Sequence, residues 1–351
     1  MPRFRHLFAL LAAAFLAAGC QKQEPQDSRL QFPTELVKAA SSQGLKKIFV
    51  NPGARPVFQN AIAALAPASP GDAMAVQAPT LWRKLDRARR FDAVLLAGPT
   101  GEFQPLLTHL AESPDFRLER VDNWGVLFVR GTPAPYVPPD IGSLPKFPDE
   151  KQRGVFLAEM ALMLDASGAT STASEFMKAA MDCAPEEPVV LVRAAALALA
   201  RKRHAEALKY AGRALELHPH DLDALQIEAR AYAALGAAAR AWEIATELKS
   251  LAPSDDMNVL FLHARMASEA HAYAAEADSL DSLIQLAEKK GLPTTDYRVY
   301  LGQCYAHQGM ARPALEQFEL ALKDPSISAE QRADLTTAAA TVRSRAGALS
   351  Q

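Results

Sequence analysis

The pattern of hydrophobic and polar residues changes along the chain and divides it into two parts. Between residues 30 and 130, compact apolar runs alternate with amphipathic stretches, and the clearest run spans residues 92–97. A continuous apolar run of that kind is typical of a strand that a sheet buries on both faces. From residue 151 onward the pattern indicates consecutive helices. We therefore expect a small α/β domain followed by an all-α part.

The first part predicts a parallel or mixed sheet of four or five strands with flanking helices. The compact runs predict strands at residues 47–50, 92–97, 116–121 and 124–129, and a weaker strand at 73–76. The amphipathic stretches predict helices at 56–65 and 80–90, with residues 106–111 inside a third. Asp122 and Asn123 separate the last two strands, which we expect to form a closing hairpin.

A proline-rich segment separates the two parts. Six prolines fall between residues 131 and 150. That density excludes a helix and favours an extended, semi-rigid spacer. The spacer is the predicted domain boundary, and it either connects the domains freely or lies on one of them.

The all-α part contains an internal repeat. Pro185, Pro219 and Pro253 stand at equal intervals, since 219 − 185 = 34 and 253 − 219 = 34. A fixed period in this range is the signature of a helical solenoid. In a solenoid each helical pair buries its apolar face against the next pair, which leaves a long concave surface for binding other chains.

The last well-formed unit carries small, aromatic and turn residues at regular places: Tyr300, Leu301, Gly302, Tyr305, Gly309, Ala314, Phe318, Ala321 and Pro325. This pattern resembles the tetratricopeptide repeat. Gly302 and Ala314 let the two helices approach closely, and Gly309 permits a tight turn because glycine takes a positive φ without penalty. The resemblance implies about five repeats over residues 151–327, followed by a capping helix and tail at 328–351.

Several positions depart from the repeat pattern. Lys202 replaces the turn glycine of the second unit, and Ala198 stands where the first-helix aromatic belongs. In the fourth unit Ser282 occupies an alanine position, and an insertion at residues 289–293 breaks the interval.

The repeat resemblance implies that the first helix of each pair lines a concave groove. The inward positions expected from the alignment are Val192, Arg193, Leu199, Gln226, Ile227, Arg230, Leu260, Phe261, Tyr300, Gln303 and His307. One interpretation is the half-buried inner wall that any repeat array has. The other is a groove for an extended or helical peptide, with Arg193 and Arg230 contacting an acidic or amide group. The Lys and Asn set of repeats that bind a C-terminal carboxylate is not matched, so no selectivity for a free C-terminus is expected.

The N-terminus has the pattern of an export signal. Arg3 and Arg5 precede an uncharged apolar stretch at residues 7–18, which is shorter than the ~20 residues needed to span a bilayer. The sequence Leu-Ala-Ala-Gly-Cys ending at Cys20 resembles the lipobox of bacterial lipoproteins, although Ala17 stands where Leu is usual.

The lipobox resemblance implies a signal peptide at residues 1–19, acyl chains such as palmitate on Cys20, and a tether at 20–29. Stable anchoring needs two or more chains, which this modification supplies. Gln21 follows Cys20 where an Asp would favour the inner membrane, so the expected location is the outer membrane, facing the periplasm. An ordinary signal peptide with an incidental Cys20 is the alternative.

Charge and motif content narrow the function classes. Removing Arg3 and Arg5 with the signal leaves 36 basic against 40 acidic residues, a net charge of −4. Nucleic-acid binding is not expected, because it needs a basic stripe. Cys183 and Cys304 fall in the first and last repeats, too far apart for a disulfide. No nucleophile elbow, zinc-protease motif, dinucleotide fingerprint or phosphate loop is present, so we expect no enzyme activity, cofactor or metal.

Two loops of the α/β part are candidates for small-ligand binding. Asn51 and Gly53 follow the first strand, while Gly98, Thr100 and Gly101 follow the clearest one. Open α/β sheets bind ligands at the carboxyl ends of such strands, and a helix N-terminus there can hold an anion. Glycine and proline are also ordinary in strand-to-helix turns.

Residues 91–130 are similar to the soluble accessory domain of mannosyltransferase-type membrane glycosyltransferases. That region is not their catalytic machinery, so no catalytic residue is implied. The predicted function is a lipid-anchored periplasmic scaffold whose repeat groove binds a protein partner of a cell-envelope assembly or export system. The alternative is a glycan- or nucleotide-like ligand bound by the α/β domain, with the repeats as a positioning module.

Overall fold

A computed structural model describes residues 34–349 except 43, 70–71, 99–102, 133–135, 145, 325–326 and 328. The predicted signal peptide, Cys20 and the tether lie outside the described residues, as do Thr100, Gly101 and Pro325. Over the described residues the chain is mostly helical and contains one four-stranded sheet. Two compact units divide between Arg203 and His204, with Glu216–His218 grouped in the first unit.

The sheet consists of β1 (Ile48–Val50), β2 (Ala93–Ala97), β3 (Phe116–Val121) and β4 (Gly125–Arg130). Its order is β1-β2-β4-β3, with β1 parallel to β2 and the other pairs antiparallel, so the sheet is mixed. The four stronger strand predictions and the closing hairpin are confirmed. Every residue of β1 and β2 is buried, as their continuous apolar runs predict.

The helices around the sheet are α1 (Thr34–Ser42), α2 (Arg55–Phe58), α3 (Asp72–Gln77), α4 (Pro79–Arg89) and α5 (Gln104–Ala111). The predicted weak strand at 73–76 is wrong, because these residues lie in α3. The first residue of α3, Asp72, accepts a hydrogen bond from the Ser69 backbone N–H at 3.0 Å and pairs with Arg89 at 3.3 Å. An acidic residue in the first turn stabilises a helix in preference to a short strand.

The predicted helix at 56–65 is also wrong beyond Phe58. The backbone there turns and then runs beside the free edge of β1. Ile48 donates to the Ala64 carbonyl at 2.9 Å, and Ala66 donates to the Ile48 carbonyl at 2.8 Å. An exposed strand edge needs partners for its backbone groups, and this segment supplies them in place of a helical turn.

The sheet buries a core on each face. On one face Trp82 of α4 stacks on Phe91 at 5.6 Å between ring centroids and meets Phe49 edge-on at 5.1 Å. On the other face Leu36, Phe58 and Leu127 belong to one apolar cluster with Ile48 and Val50. The Phe49 side chain lies on one face of the sheet, and those of Ile48 and Val50 lie on the other, which is the two-residue period of a strand. Helices therefore pack on both faces of the sheet.

The remaining described helices follow one another as pairs, and a final helix comes after the last pair. They are α6 (Glu150–Ala166), α7 (Thr170–Cys183), α8 (Pro188–Ala200), α9 (His204–Leu217), α10 (Leu222–Ala234), α11 (Ala238–Leu251), α12 (Met257–Glu269), α13 (Tyr273–Lys289), α14 (Thr295–His307), α15 (Ala311–Leu322) and α16 (Ala329–Leu349). The second helices of the pairs start at 170, 204, 238, 273 and 311, which gives offsets of 34, 34, 35 and 38. The repeat period is therefore confirmed, and the longer α13 accounts for the predicted insertion.

The proline-rich segment packs on its neighbours within the first unit. The Tyr136 hydroxyl accepts a hydrogen bond from the Val121 N–H of β3 at 3.2 Å. The Phe147 ring lies 5.0 Å from that of Phe156 in α6. Its described part therefore contacts both the sheet and the first repeat helix, and the domain boundaries at 131 and 150 stay a prediction.

In the second unit each helix packs mainly on the next one. A cluster of Leu225, Ile244, Leu248, Leu262 and Met266 connects α10, α11 and α12. At the other end Leu335 and Ala339 of α16 pack with Phe318 of α15. These contacts bury the apolar face of each hairpin against its neighbour, which is how a solenoid forms its core.

The close approach expected at Gly302 is confirmed. A Cβ added there would lie 2.6 Å from Cε1 of Phe318, well inside contact distance. Phe318 is 1% exposed, so its ring fills the space that the missing side chain leaves between α14 and α15.

Candidate functional site

The first helices of the hairpins in the second unit carry most of the predicted groove residues, and two of these helices, α10 and α12, contact each other. Each of α10, α12 and α14 has 13 residues, so equivalent positions are found by counting from the helix start. Positions two, five and nine share one helix face, because residues spaced three and four apart are neighbours on a helix. We call three sets of equivalent residues the groove rows, because the repeat resemblance predicts that they line a groove: Asp223, Asn258 and Asp296; Gln226, Phe261 and Val299; and Arg230, Arg265 and Gln303. Of these, Val299 packs in the apolar cluster that contains Phe318 and Leu335.

Several predicted groove residues lie in or beside these rows. Gln226, Arg230 and Gln303 are half-buried, and Phe261 is 6% exposed. His307 ends α14, is exposed, and stacks on Tyr273 with ring centroids 5.6 Å apart.

The other predicted residues lie elsewhere. Ile227, Leu260 and Tyr300 are all buried outside the rows. Val192, Arg193 and Leu199 belong to α8 of the first unit, where Val192 is buried and the other two are half-buried.

Aromatic rings cluster beside the rows. The Phe261 ring lies 6.0 Å from Tyr300 and 6.3 Å from Tyr297, centroid to centroid. Burial, together with Asp296, raises the pKa of Tyr297 to about 12, so its hydroxyl remains protonated at neutral pH. Burial and then Asp324 raise the pKa of Asp296 above its usual range. This part of the wall is therefore aromatic, and the Tyr297 hydroxyl in it is protonated.

Two arginines, Arg230 and Arg265, hold equivalent positions in the third row. Burial lowers the pKa of Arg230 to about 10, and the positive charge of Arg265 contributes to that shift. Arg265 pairs with Glu269 at 3.2 Å. Within the described part of the chain, no residue forms a hydrogen bond or an ion pair with the Arg230 side chain, and Asp223 acts on it only electrostatically. At neutral pH this half-buried cation is charged and has no bonded counter-ion.

A buried hydrogen-bond acceptor is found in the first row. Asn258 is 7% exposed, and its Oδ1 has no hydrogen-bond partner among the described residues. Asp256 caps the helix start at 2.9 Å from the Asn258 backbone N–H, which fixes the position of this side chain. A buried acceptor without a partner costs free energy of about 1–3 kcal/mol, so it marks a place where a donor is stabilising.

The sequence alignment missed Arg265, Asn258 and Tyr297. The offset between α10 and α12 is 35 rather than 34, since Leu222 and Met257 are their first residues. With the correct offset Arg230 is equivalent to Arg265, and Gln226 to Phe261. The start of each helix, set by the capping residues Asp221 and Asp256, could have shown this register.

A polar network lies inside the second unit, between α11, α12 and α13. Lys249 Nζ donates to Ser279 Oγ at 2.8 Å, and His263 Nδ1 lies 2.9 Å from the same oxygen. His263 Nε2 is 3.4 Å from Thr246 Oγ1, which itself donates to the Trp242 carbonyl at 2.9 Å. These roles are consistent only if Ser279 donates to Nδ1 and the neutral imidazole donates from Nε2.

The environment keeps His263 neutral. Burial first, and then the charge of Lys249, lower the pKa of His263 to about 4. Ser279 is fully buried, and the network joins three helices of the second unit.

Two of the loop candidates of the α/β part, Asn51 and Gly98, form hydrogen bonds within the fold, whereas Thr100 and Gly101 lie outside the described residues. Asn51 is 1% exposed, donates from Nδ2 to the Ala97 carbonyl at 3.0 Å and accepts at Oδ1 from the Ala97 N–H at 2.9 Å. Gly98 has φ +103 and donates to the Trp124 carbonyl at 2.9 Å, while Gly53 is exposed in a turn. The side chain of Asn51 therefore connects the ends of β1 and β2 and has no free polar atom for a ligand.

The described residues offer neither a metal site nor a membrane-crossing helix. No group of three or more His, Cys, Asp and Glu side chains in that part of the chain is placed to hold a metal ion. None of the described helices combines the length and the apolar character needed to cross a bilayer. Cys183 and Cys304 are free thiols.

The hairpins, their spacing and the Gly302–Phe318 contact define a helical solenoid, which is the arrangement that the tetratricopeptide resemblance predicts. No protein-family model and no curated protein matches the chain. The fold assignment therefore rests on the hairpins themselves.

Solved structures with a similar arrangement are tetratricopeptide proteins of low sequence identity. PilF of Pseudomonas aeruginosa is 15% identical with a TM-score of 0.44, over 54% of this chain and 82% of that one. TTC0263 of Thermus thermophilus is 18% identical with a TM-score of 0.37, over 53% and 96%. YrrB, a tetratricopeptide protein with an unusual peptide-binding site, is 14% identical with a TM-score of 0.42, over 48% and 84%.

Proposed function

We propose that this protein is a lipid-anchored scaffold of the bacterial cell envelope that binds a protein or peptide partner in the groove of its second unit. The observation that carries the proposal is the set of groove rows, where aromatic, amide, cationic and acidic side chains stand at equivalent positions on the first helices of consecutive hairpins. A half-buried wall of this composition fits an extended or helical segment, because apolar area gives affinity and the polar groups fix orientation.

The anchor and location belong to the same proposal. The lipobox resemblance ending at Cys20 supports acylation of that residue, and Gln21 supports the outer membrane over the inner membrane. The partner then belongs to an envelope assembly or export system on the periplasmic side. A membrane-attached groove raises the local concentration of its partner without any new contact.

The groove part is tested by photo-cross-linking in living cells. A benzophenone amino acid at Gln303 lies within a groove row, and one at Glu243 lies on the surface of α11 as the matched control. We expect discrete adducts from position 303 that mass spectrometry identifies as one envelope protein, and none of these from position 243. Adducts of equal pattern at both positions would contradict the groove.

The anchor is tested separately with Cys20→Ser. Wild-type protein should incorporate labelled palmitate and sediment with outer membranes, whereas the variant should do neither. Labelling that survives the substitution would contradict the lipoprotein assignment and leave the groove untouched.

Binding of a glycan or nucleotide by the α/β part has no comparable support, since both polar atoms of Asn51 are bound to Ala97.

A further inference from the structure

The charged residues of α4 differ between the two sides of the helix. The inward side carries Trp82, Asp86 and Arg89, which share one face because they are spaced four and three residues apart. Asp86 pairs with Arg130 at 2.5 Å, and Arg89 pairs with Asp72 at 3.3 Å. The acidic residue of α4 and one of its arginines are therefore neutralised within the fold.

The outward side of α4 is basic and contains no acidic residue. Arg83, Lys84 and Arg87 are exposed and share one face by the same helical spacing. Arg90 follows three residues later, exposed, as the C-cap of the helix. No described residue forms an ion pair with any of these four side chains. Their charges are therefore available to an anionic partner.

The basic surface continues to the edge of the sheet. Asp92 Oδ2 accepts hydrogen bonds from the backbone N–H groups of Lys46 and Lys47 at 2.9 and 3.0 Å, just after the end of α4. Lys47 Nζ donates to the Arg89 carbonyl, and Lys46 is exposed. The basic face is the name we give to five exposed residues: Lys46, Arg83, Lys84, Arg87 and Arg90.

Acidic groups near the basic face leave it positive. Asp92 is half-buried, and its carboxylate is bound to two backbone N–H groups. Burial and then the charge of Arg83 lower the pKa of His109, and Glu112 opposes that shift, so Glu112 also acts in this region. Even with both carboxylates counted in full, five basic residues stand against two acidic ones.

The charge of the whole chain is divided in the same sense. Residues 34–130 contain 12 basic against 9 acidic residues, a net charge of +3. Residues 131–351 contain 22 basic against 29 acidic residues, a net charge of −7. Charge asymmetry of this kind is typical of a chain that meets an anionic surface with one part only. The basic part is also the one that follows the proposed anchor.

The proposed anchor brings a membrane within reach of the basic face. Thr34, the first residue of α1, follows Cys20 by 14 residues, which span at most about 50 Å when extended. A domain of about 100 residues has a radius of gyration of about 13 Å, so this length lets any side of the domain reach the bilayer. Charge then decides which side does, because each Lys or Arg near an anionic bilayer favours contact about fivefold.

We propose that the basic face lies on the anionic phospholipid headgroups of the membrane that holds the protein. Its guanidinium and ammonium groups bind lipid phosphates, and the anchor makes the contact intramolecular, so a few charges suffice. The phosphates of a nucleic acid have the same chemistry, but the anchor and the length of chain after it favour the bilayer. This inference rests on the anchoring part of the proposed function and adds to it a second membrane contact.

The test is lysine footprinting of the full-length lipidated protein, inserted into the outer leaflet of preformed vesicles. A membrane-impermeant acetylating reagent modifies exposed lysines, and mass spectrometry follows each site. Vesicles of phosphatidylcholine are compared with vesicles of phosphatidylcholine and phosphatidylglycerol in equal parts. Lys84 reports on the basic face. Lys38 is the internal control, since it is exposed on α1 and pairs with Glu35 of the same helix.

We expect acetylation of Lys84 to slow about fivefold or more in the anionic vesicles, with Lys38 unchanged. The rate should recover in about 0.5 M salt, because screening weakens the attraction. Arg83→Gln combined with Arg87→Gln should abolish the protection of Lys84, since it removes about 25-fold of the preference for contact. Lys289→Gln combined with Lys290→Gln makes the same change of charge at exposed positions of the second unit and should retain the protection.

Four results would overturn the inference. Equal acetylation of Lys84 in both kinds of vesicle would remove the membrane contact and leave the anchor and the groove standing. Protection already present in detergent would show that protein covers the basic face. Equal protection by a DNA duplex added in detergent would indicate a general polyanion surface. Purified protein without an acyl chain would remove the anchor and this inference together.

Discussion

The residue in the turn after the first helix of each hairpin has a positive φ, whether or not it is glycine. Gly168, Gly236 and Gly309 have φ values of 89, 81 and 75°, and Lys202 and His271 have 59 and 60° at the equivalent positions. The tight turn fixes the backbone, because the next helix must fold back onto the first. A side chain with a Cβ causes steric strain there that glycine avoids.

Replacing Lys202 by glycine should therefore stabilise the protein. We expect a gain of about 1 kcal/mol in the free energy of unfolding, measured by urea denaturation, because the left-handed conformation costs other residues about 1–2 kcal/mol. Gly236→Ala is the reciprocal change and should destabilise by a similar amount. A loss of stability in Lys202→Gly would mean that its side chain contributes more than the strain.

His263 makes stability depend on pH. Its pKa of about 4 lies below the ordinary histidine value of 6.5, so the unfolded chain binds a proton more readily than the folded chain. Its contribution is fully present above about pH 6.5 and is lost as the pH falls toward 4, with a total of roughly 3 kcal/mol. His263→Gln should flatten this part of the curve of unfolding free energy against pH.

The control for that experiment is His220→Gln, since His220 is exposed in a turn. It should leave the pH dependence unchanged. An equal slope in wild-type protein and in His263→Gln between pH 4 and 6.5 would show that other groups govern acid unfolding.

The contact between α14 and α15 depends on one missing side chain. Gly302→Ala would place a methyl group 2.6 Å from Phe318. Overpacking of this kind costs about 1–3 kcal/mol, which urea denaturation would detect. Gly212→Ala is a matched control in α9, because nothing lies within 4 Å of a Cβ added there, and it should stabilise by about 1 kcal/mol through helix propensity.

A second substitution distinguishes packing from backbone effects at this contact. Phe318→Leu leaves room for the new methyl group, so the double variant Gly302→Ala with Phe318→Leu should be more stable than the sum of the two single changes predicts. Strict additivity would show that the ring is not what Gly302 accommodates.

Element types were predictable wherever the local pattern and the tertiary environment agree. The apolar runs of β1 and β2 are buried on both faces, and the 34-residue interval between prolines matches the spacing of the first three hairpins. Residues 64–66 are different, because their backbone forms hydrogen bonds with the edge of β1. The local pattern of apolar and polar residues does not indicate such a long-range contact. Residues 73–76 are too short for periodicity to separate a helix from a strand.

The candidate site was predictable only in part. Arg230, Gln226, Phe261 and Gln303 follow from the repeat alignment, whereas Arg265 and Asn258 depend on a one-residue change of spacing. The network at His263 was not predictable, because its members come from three helices and share no sequence motif.

For the whole second unit, contacts run from each helix to the next. Local opening should therefore begin at helices with one neighbour and spread inward. We expect backbone amides of α16 to exchange with deuterium faster than those of α12, as measured by mass spectrometry. Leu335→Asp should speed exchange in α16 and α15 and leave α10 unchanged, whereas Thr336→Asp, at an exposed position, should have no effect.

A result in which Leu335→Asp speeds exchange in all helices equally would contradict this view. It would show that the unit opens as one cooperative block.

The same succession of contacts has a mechanical consequence. Small changes of angle at each interface between hairpins add up along the second unit. A force along the unit is therefore spread over many interfaces, each of which changes only slightly. The second unit can then lengthen and shorten elastically while every hairpin stays folded.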